Sequence, residues 1–199
     1  MASPPVLLFD LGGVIVDFRG GEGMDAVTLG AYGVDFCRDH WWRLPELDRL
    51  ERGAIAPEEF AAAFIARWRL DLDPSAFVHA FKHWVFGVYD GAPEILAMLR
   101  RRRRVACLSN VNSAHWERCV ELGVDRLFDA CFLSHELGLR KPEPAVYEEV
   151  SKRLGVPPGD IHFFDDVPAN VEAARAGGMN AALVRKGELE EALVACGLL

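Results

Sequence analysis

The sequence predicts an α/β protein in which a parallel sheet carries helices on both faces and an inserted helical segment interrupts the chain early. Three observations carry that prediction. Five short apolar runs each end in small or polar residues, as buried strands of a parallel sheet do. From residue 89 onward these runs alternate with stretches whose apolar residues recur at three- and four-residue spacing, the order a parallel sheet requires. Residues 19–88, by contrast, are strand-poor and helical in pattern. In such a sheet the chemistry is expected at the carboxyl ends of the strands.

The elements follow in chain order. VLLFD (6–10) reads as the first strand and ends on Asp10, after which FDLGGVIVDF (9–18) places a Gly-Gly pair and a second apolar run. The insert shows its clearest amphipathic stretch in ELDRLERGAIAPEEFAAAFIARW (46–68), where Pro57 suits the first turn of a helix. It departs just after the first strand's carboxylate and returns near Tyr89–Pro93, so it is expected to lie as a lid over the sheet edge that carries Asp10. The expected division is a core of 1–18 and 89–199 with a helical cap of 19–88. Within the core, helices are expected at Ala92–Arg103, Ser113–Leu122, Ala145–Leu154 and Ala169–Ala176, with Gly123, Gly155 and Gly177 just past three of their ends. The remaining strands are VACLSN (105–110), ACFLS (130–134), IHFFDD (161–166) and AALV (181–184).

Composition narrows the function. A chain of 199 residues with 51% hydrophobic content can build one sizeable core, and a formal charge of −8 disfavours nucleic acid and anionic membranes, which leaves a small molecule as the expected partner. RRRRR (100–104) sits at an expected helix C-terminus, where cations favour the dipole and stay solvated, and is not read as a nucleic-acid patch. The five cysteines (Cys37, Cys107, Cys119, Cys131, Cys196) form no CxxC pair and read as buried thiols of a reducing compartment. MASPP lacks the pattern of a signal peptide, and no apolar run reaches the roughly 18 residues a membrane span needs, so a cytoplasmic protein is expected.

Four features fall at or just beyond strand ends: Asp10, Ser109-Asn110, Lys141 in RKPEPAVY, and the pair Asp165-Asp166. Converging acids repel one another unless Lys141 or a divalent metal offsets them, and oxygen donors without His or Cys at ligand spacing favour Mg²⁺ over zinc. A carboxylate nucleophile, a metal, a hydroxyl and a lysine are the parts needed to hold and attack a phosphoryl group.

FDLGGVIVD, LSN, KPEPAVY and FFDDVPANVEAARAGGM, in this order and spacing, resemble the four motifs of the haloacid dehalogenase (HAD) superfamily across residues 9–179, and the insert resembles that family's helical cap. Within the family the sequence is similar to phosphatases of the glucose-1-phosphate type and to the phosphatase domain of soluble epoxide hydrolase. The resemblance implies a Rossmann-like core and Mg²⁺-dependent hydrolysis of a small phosphorylated metabolite, a sugar phosphate being one such case, through an aspartyl-phosphate. Carried over by motif, Asp10 is the nucleophile and a metal ligand, and the Gly12 carbonyl is a backbone ligand. Ser109 and the Asn110 backbone N–H bind the phosphoryl oxygens, and Lys141 holds Asp10 and phosphate together. Asp166 is the expected direct Mg²⁺ ligand, Asp165 a ligand or lysine contact, and Asn170 a loop anchor.

One departure stands out. The common phosphatase form has a second carboxylate two residues after the nucleophile, where this chain has Gly12, and a missing general acid costs about 10²–10⁴-fold. Asp17 is the first candidate substitute. His115 and His135 read as surface or capping residues, and the aromatic groups His40-Trp41-Trp42, Trp68 and His83-Trp84 as cap packing rather than a sugar platform. The alternatives are a 2-haloacid dehalogenase, which works without metal and carries no acidic pair in the fourth motif, and a binding or regulatory protein that has lost turnover.

Overall fold

The computed structural model describes residues 5–199, so the reading of MASPP falls almost wholly outside the described residues. Strand β1 (Val6–Phe9) is buried along its whole length and forms the centre of a five-stranded parallel sheet. The chain then makes a tight turn into β2 (Val16–Phe18) and five helices, α1 (Gly20–Val27), α2 (Val34–Trp41), α3 (Pro45–Glu51), α4 (Pro57–Trp68) and α5 (Pro74–Lys82), before β3 (Val85–Val88). The alternation that follows is α6 (Ala92–Arg100), β4 (Val105–Ser109), α7 (Ser113–Glu121), β5 (Ala130–Leu133), α8 (Ser134–Leu137), α9 (Pro144–Leu154), β6 (Ile161–Asp165), α10 (Pro168–Ala176), β7 (Asn180–Leu183) and α11 (Leu189–Ala195).

Sheet order is β5-β4-β1-β6-β7, with Leu7 opposite Val105 on one side and His162 on the other. Period-two alternation sorts the central strands onto two cores. Leu7, Phe9, Val105 and Cys107 pack with Leu96 and Leu99 of α6, Cys119 of α7 and Leu193 of α11, while Val6, Leu8, Ala106 and Leu108 pack with Val146, Val150 and Leu154 of α9 and Ala174 of α10. Both faces are therefore covered by helices, as a parallel sheet demands. From β1 the chain builds outward through β4 and β5, then returns to the other side for β6 and β7, so the order reverses between β1 and β6. A crevice at strand carboxyl ends opens at such a reversal, and Asp10, Asp165 and Asp166 stand there.

The insert has a core of its own, in which Trp41, Phe60, Phe64, Phe77, Phe81 and Trp84 are buried, with Trp41 and Trp84 at 4.9 Å between ring centroids. Each such ring contributes about 1.5–3 kcal/mol by leaving water. Packing is thus what Trp41 and Trp84 do, but Trp42 is 55% exposed.

Several details differ from expectation. Residues 46–68 hold two helices, the second starting on Pro57 as expected, and the chain breaks between them at Gly53, whose φ is +69° and where a Cβ would stand 2.2 Å from the His135 carbonyl oxygen. Val85–Val88 is a strand, antiparallel to β2 with Val16 opposite Val88, so the insert leaves and re-enters through adjacent strands. Helix α6 ends at Arg100 instead of 103, where Arg101, Arg102 and Arg103 fold into turns on Met98 and Leu99. Arg100 pairs with Asp129, and Arg103 and Arg104 donate to the carbonyls of Leu198 and Leu154. Cys37, Cys107 and Cys119 are buried free thiols, but Cys196 is exposed. Among the described residues no helix is long and apolar enough to cross a membrane.

Candidate active site

Asp10 follows β1 directly, and its N–H donates to the Phe164 carbonyl at 2.8 Å, which ties the end of β1 to β6. Its Oδ1 accepts from the Leu11 N–H at 2.6 Å and lies 2.9 Å from Lys141 Nζ. Lys141, only 1% exposed, comes from the loop before α9 and is aimed by Asn110. The Asn110 amide pairs with both backbone groups of Lys141, Nδ2 donating to its carbonyl and Oδ1 accepting from its N–H, each at 2.8 Å. Lys141 Nζ also donates to Asp165 Oδ2 at 2.6 Å. Asp165, fully buried at the end of β6, accepts further from Asn170 Nδ2 at 3.0 Å on both oxygens and from the Val167 N–H at 2.8 Å. Asn170 is held in turn by Tyr147, whose hydroxyl donates to its carbonyl at 2.9 Å. Ser109 sits buried at the tip of β4 and lines the same cleft.

Asp10, Asp165 and Asp166 each offer an oxygen within 4.8 Å of the others, and among the described residues Lys141 is the one ammonium bonded to them. Burial pushes the Asp10 carboxyl up to about 7, against the pull of Lys141, and the charges of Asp165 and Asp166 add to the rise. Asp166 is raised by burial and then by Asp165. Burial works to lower Lys141, but Asp10 and Asp165 outweigh it and hold the ammonium above its ordinary value. The cluster is short of positive charge and presents hard oxygen donors alone, a set that suits Mg²⁺.

The two glycines of the turn differ in what they permit. Gly13 has φ +76°, and a Cβ there would stand 2.1 Å from Asp166 Oδ2, so the close approach of this turn to the carboxylate requires glycine. At Gly12 a Cβ would meet only Phe18 Cβ, at 3.8 Å. The turn is closed by the Leu11 carbonyl, which accepts from Val14, Ile15 and Val16 at 3.2, 2.8 and 2.8 Å.

Around this cluster opens a cleft of about 820 Å³, counting its mouth, to which the insert and its junctions contribute Phe18, Trp41, Trp42 and Glu51. The structure thus gathers Asp10, Gly12, Ser109, Asn110, Lys141, Asp166 and Asn170 along one cleft, with Asp165 directly behind Lys141. Asp17 does not join them: it pairs with Arg19 at 2.7 Å on β2 and is absent from the cleft wall. His115 is neither a surface nor a capping residue. It is buried on the cleft wall, with Nε2–H donating to the Phe81 carbonyl at 2.9 Å and Nδ1 accepting from Asn112 Nδ2 at 2.8 Å. Burial lowers its pKa to about 4, so it is neutral. His135 is half-buried, its Nδ1 donating to the Val111 carbonyl at 2.9 Å.

Glu51, like Lys186, is a cleft residue that sequence reasoning passed over. Its signal lies in helical spacing: it stands four residues after Leu47, so the stripe of α3 that is otherwise apolar contains an acid.

A model of the haloacid dehalogenase-like hydrolases matches residues 4–178, and the chain belongs to that family. It is 27% identical over 188 residues to the fructose-1-phosphate phosphatase YqaB of Escherichia coli, covering 90% of this chain and 95% of that protein. It is 26% identical over 150 residues to the glyceraldehyde 3-phosphate phosphatase of Methanopyrus kandleri, covering 71% of this chain but only 64% of that enzyme. The fold is that of a HAD family enzyme from Bacteroides thetaiotaomicron, crystallised in complex with magnesium and inorganic phosphate, at a TM-score of 0.79 and 23% identity over 94% of this chain and 96% of that one.

Proposed function

We propose that this protein is a Mg²⁺-dependent phosphatase of small phosphorylated metabolites, of the sugar-phosphate class, acting through an aspartyl-phosphate on Asp10. The observation that carries the reading is Lys141 Nζ, buried and bonded at once to Asp10 and Asp165, beside a third carboxylate oxygen in the same cluster. Both contacts of Asp10 fall on Oδ1, which leaves Oδ2 the freer oxygen for attack on phosphorus. Attack forms the Asp10–phosphorus bond and breaks the bond from phosphorus to the leaving oxygen. Water then attacks the phosphorus, regenerating the Asp10 carboxylate and releasing phosphate. Ser109 and the Asn110 N–H hold phosphoryl oxygens, and Lys141 offsets their charge next to Asp10. Asp10, the Gly12 carbonyl and Asp166 would hold Mg²⁺, which supplies charge neutralisation at the phosphoryl group. Asp165, its oxygens already accepting from Lys141, Val167 and Asn170, serves by fixing Lys141 and Asn170.

The substrate class rests on the names of the relatives, whose substrates are fructose 1-phosphate and glyceraldehyde 3-phosphate. The clustering of Asp165 and Asp166 with Asp10 supports a phosphatase over a metal-free dehalogenase. The test is phosphate release from a panel of anomeric, primary alkyl and aryl phosphates, with Mg²⁺ and with chelator. Turnover is expected with Mg²⁺ only, and Asp10→Asn is expected to abolish it while remaining folded. Release that persists in Asp10→Asn, or that ignores chelation, overturns the mechanism.

A further inference from the structure

A glycine at position 12 leaves the leaving oxygen without a proton donor and the attacking water without a base. The titratable groups that line the cleft are few: Asp10, Glu51, His115, Cys119, Lys141, Asp166 and Lys186. Burial raises the Cys119 thiol to about 12, so it stays protonated and offers no base. Asp10 and Asp166 belong to the carboxylate cluster, and Lys141 is bonded to two carboxylates. His115 has both ring nitrogens engaged. Lys186 is exposed to solvent. Among the described residues Glu51 is therefore the one carboxyl on the cleft wall outside the cluster.

From this placement we infer that Glu51, carried by the insert, is the proton donor to the leaving oxygen and then the base toward water, doing from the opposite wall what position 12 does not. The inference rests on the phosphatase reading above.

Three features support it. Glu51 is 4% exposed, and its Oε2, although 2.8 Å from Arg140 Nη2, is out of line for a hydrogen bond and has no such partner among the described residues. A buried acid that is not fully bonded is costly and in need of an explanation.

The second feature is that its helix is fixed to the core beside the reacting groups. Arg140, next in sequence to Lys141, pairs with Asp48 of α3 at 2.8 Å, and Arg52 donates to Asp48, to the Gly138 carbonyl and to Glu143. The turn after α3 touches the core at Gly53, against the His135 carbonyl. The Glu51 carboxyl is thus held at a set position rather than carried on a loose lid.

The third is electrostatic. Glu51 faces Arg140 and Lys141 from the core and Asp48 and Arg52 from its own helix. Burial raises it to about 7, against Arg140, with Asp48 adding to the rise and Lys141 and Arg52 opposing it. Near neutral pH both its forms are populated, as a group that gives a proton in one step and takes one in the next requires.

The balance is complete. As the phosphorus–leaving-oxygen bond breaks, the Glu51 proton passes to that oxygen and leaves a carboxylate. As water attacks the aspartyl-phosphate, its proton returns to Glu51 and the phosphorus–Asp10 bond breaks.

The test compares kcat/KM for a primary alkyl phosphate and for p-nitrophenyl phosphate, whose leaving oxygen needs no proton. Glu51→Gln is expected to lose about 10²–10⁴-fold on the alkyl substrate and less than about 10-fold on the aryl one. Adding Gly12→Asp to Glu51→Gln is expected to restore the alkyl rate at least about 10-fold, since a carboxyl returns to the site. Melting curves check the fold of each variant. Should Glu51→Gln fail to fold, Glu51→Asp, which sets the carboxyl one methylene back, is read for the same selective loss. Equal losses on both substrates, or an undiminished alkyl rate, overturn the role of Glu51 alone. Wild-type protein that releases phosphate from neither substrate overturns the phosphatase reading, and this role with it.

Discussion

Acid should weaken the contact between insert and core through one residue, His115. The folded imidazole takes its proton only near pH 4, because it is buried, whereas an unfolded histidine does so near 6.5. Its contribution is therefore whole above pH 6.5 and is lost as the pH falls toward 4. The gap of about 2.5 between the two values, at about 1.36 kcal/mol per pKa unit, comes to ~3 kcal/mol. Asp10 and Glu51, both raised to about 7 by burial, act in the opposite sense: they cost stability as the pH rises from the unfolded carboxylate range toward 7. The wild-type curve alone mixes these effects, so the informative quantity is the difference between wild type and His115→Gln. At pH 7 the variant loses the 4.1 Å contact with the Phe81 ring and the bond to its carbonyl, a cost of about 2 kcal/mol. Urea unfolding at half-unit steps from pH 7 to 4 should show that deficit shrinking and then vanishing or reversing. Two curves that run parallel throughout would refute the reasoning, since His115 would then titrate alike in both states.

Two further predictions concern the cluster. Gly13→Ala should destabilise the protein by about 1–3 kcal/mol, through its positive φ and the overlap with Asp166, and should weaken Mg²⁺ binding, whereas Gly12→Ala should cost less than about 1 kcal/mol; thermal melting with and without Mg²⁺ compares them. Asp165→Ala strips a buried partner from Lys141 and Asn170 and should cost about 3–5 kcal/mol, whereas Asp166→Ala relieves repulsion without Mg²⁺ and should abolish the rise in melting temperature expected on adding Mg²⁺. The reverse pattern would exchange the roles of the two acids.

Much of this was legible in the sequence because the signals are local. A buried parallel strand shows itself as a short apolar run, and VLLF, VACLS and IHFFD do so within a residue or two of their observed ends. Asp10, Ser109 and Asp165-Asp166 are legible because strand ends, where such residues converge, can be found without knowing the fold, whereas Lys141, expected near a strand end, lies beyond α8 in the loop before α9 and is legible only through RKPEPAVY. What escaped depends on pairing across distance. VDF and VFGV are too short to show alternation, and each becomes a strand by facing the other. Glu51 lies in LDRLERG, where one more charge on a helix reads as solvated until Arg140 and the cleft are seen beside it. His115 likewise gives no hint that a carbonyl from the insert covers it.

The antiparallel pairing of Val16–Phe18 with Val85–Val88 means that the insert's two ends meet side by side. To the sheet, the five helices amount to one loop, and the entropy of closing a loop grows only slowly with its length. Such a segment is free to be lengthened, recut or repacked while Asp10 and Lys141 stay where they are. If the acid of the reaction sits on Glu51, that freedom has a limit. An insert that drifts toward a new substrate must keep one side chain in register with the old chemistry, and inheritance of the catalytic step would then be divided between the conservative half of the molecule and the adventurous one.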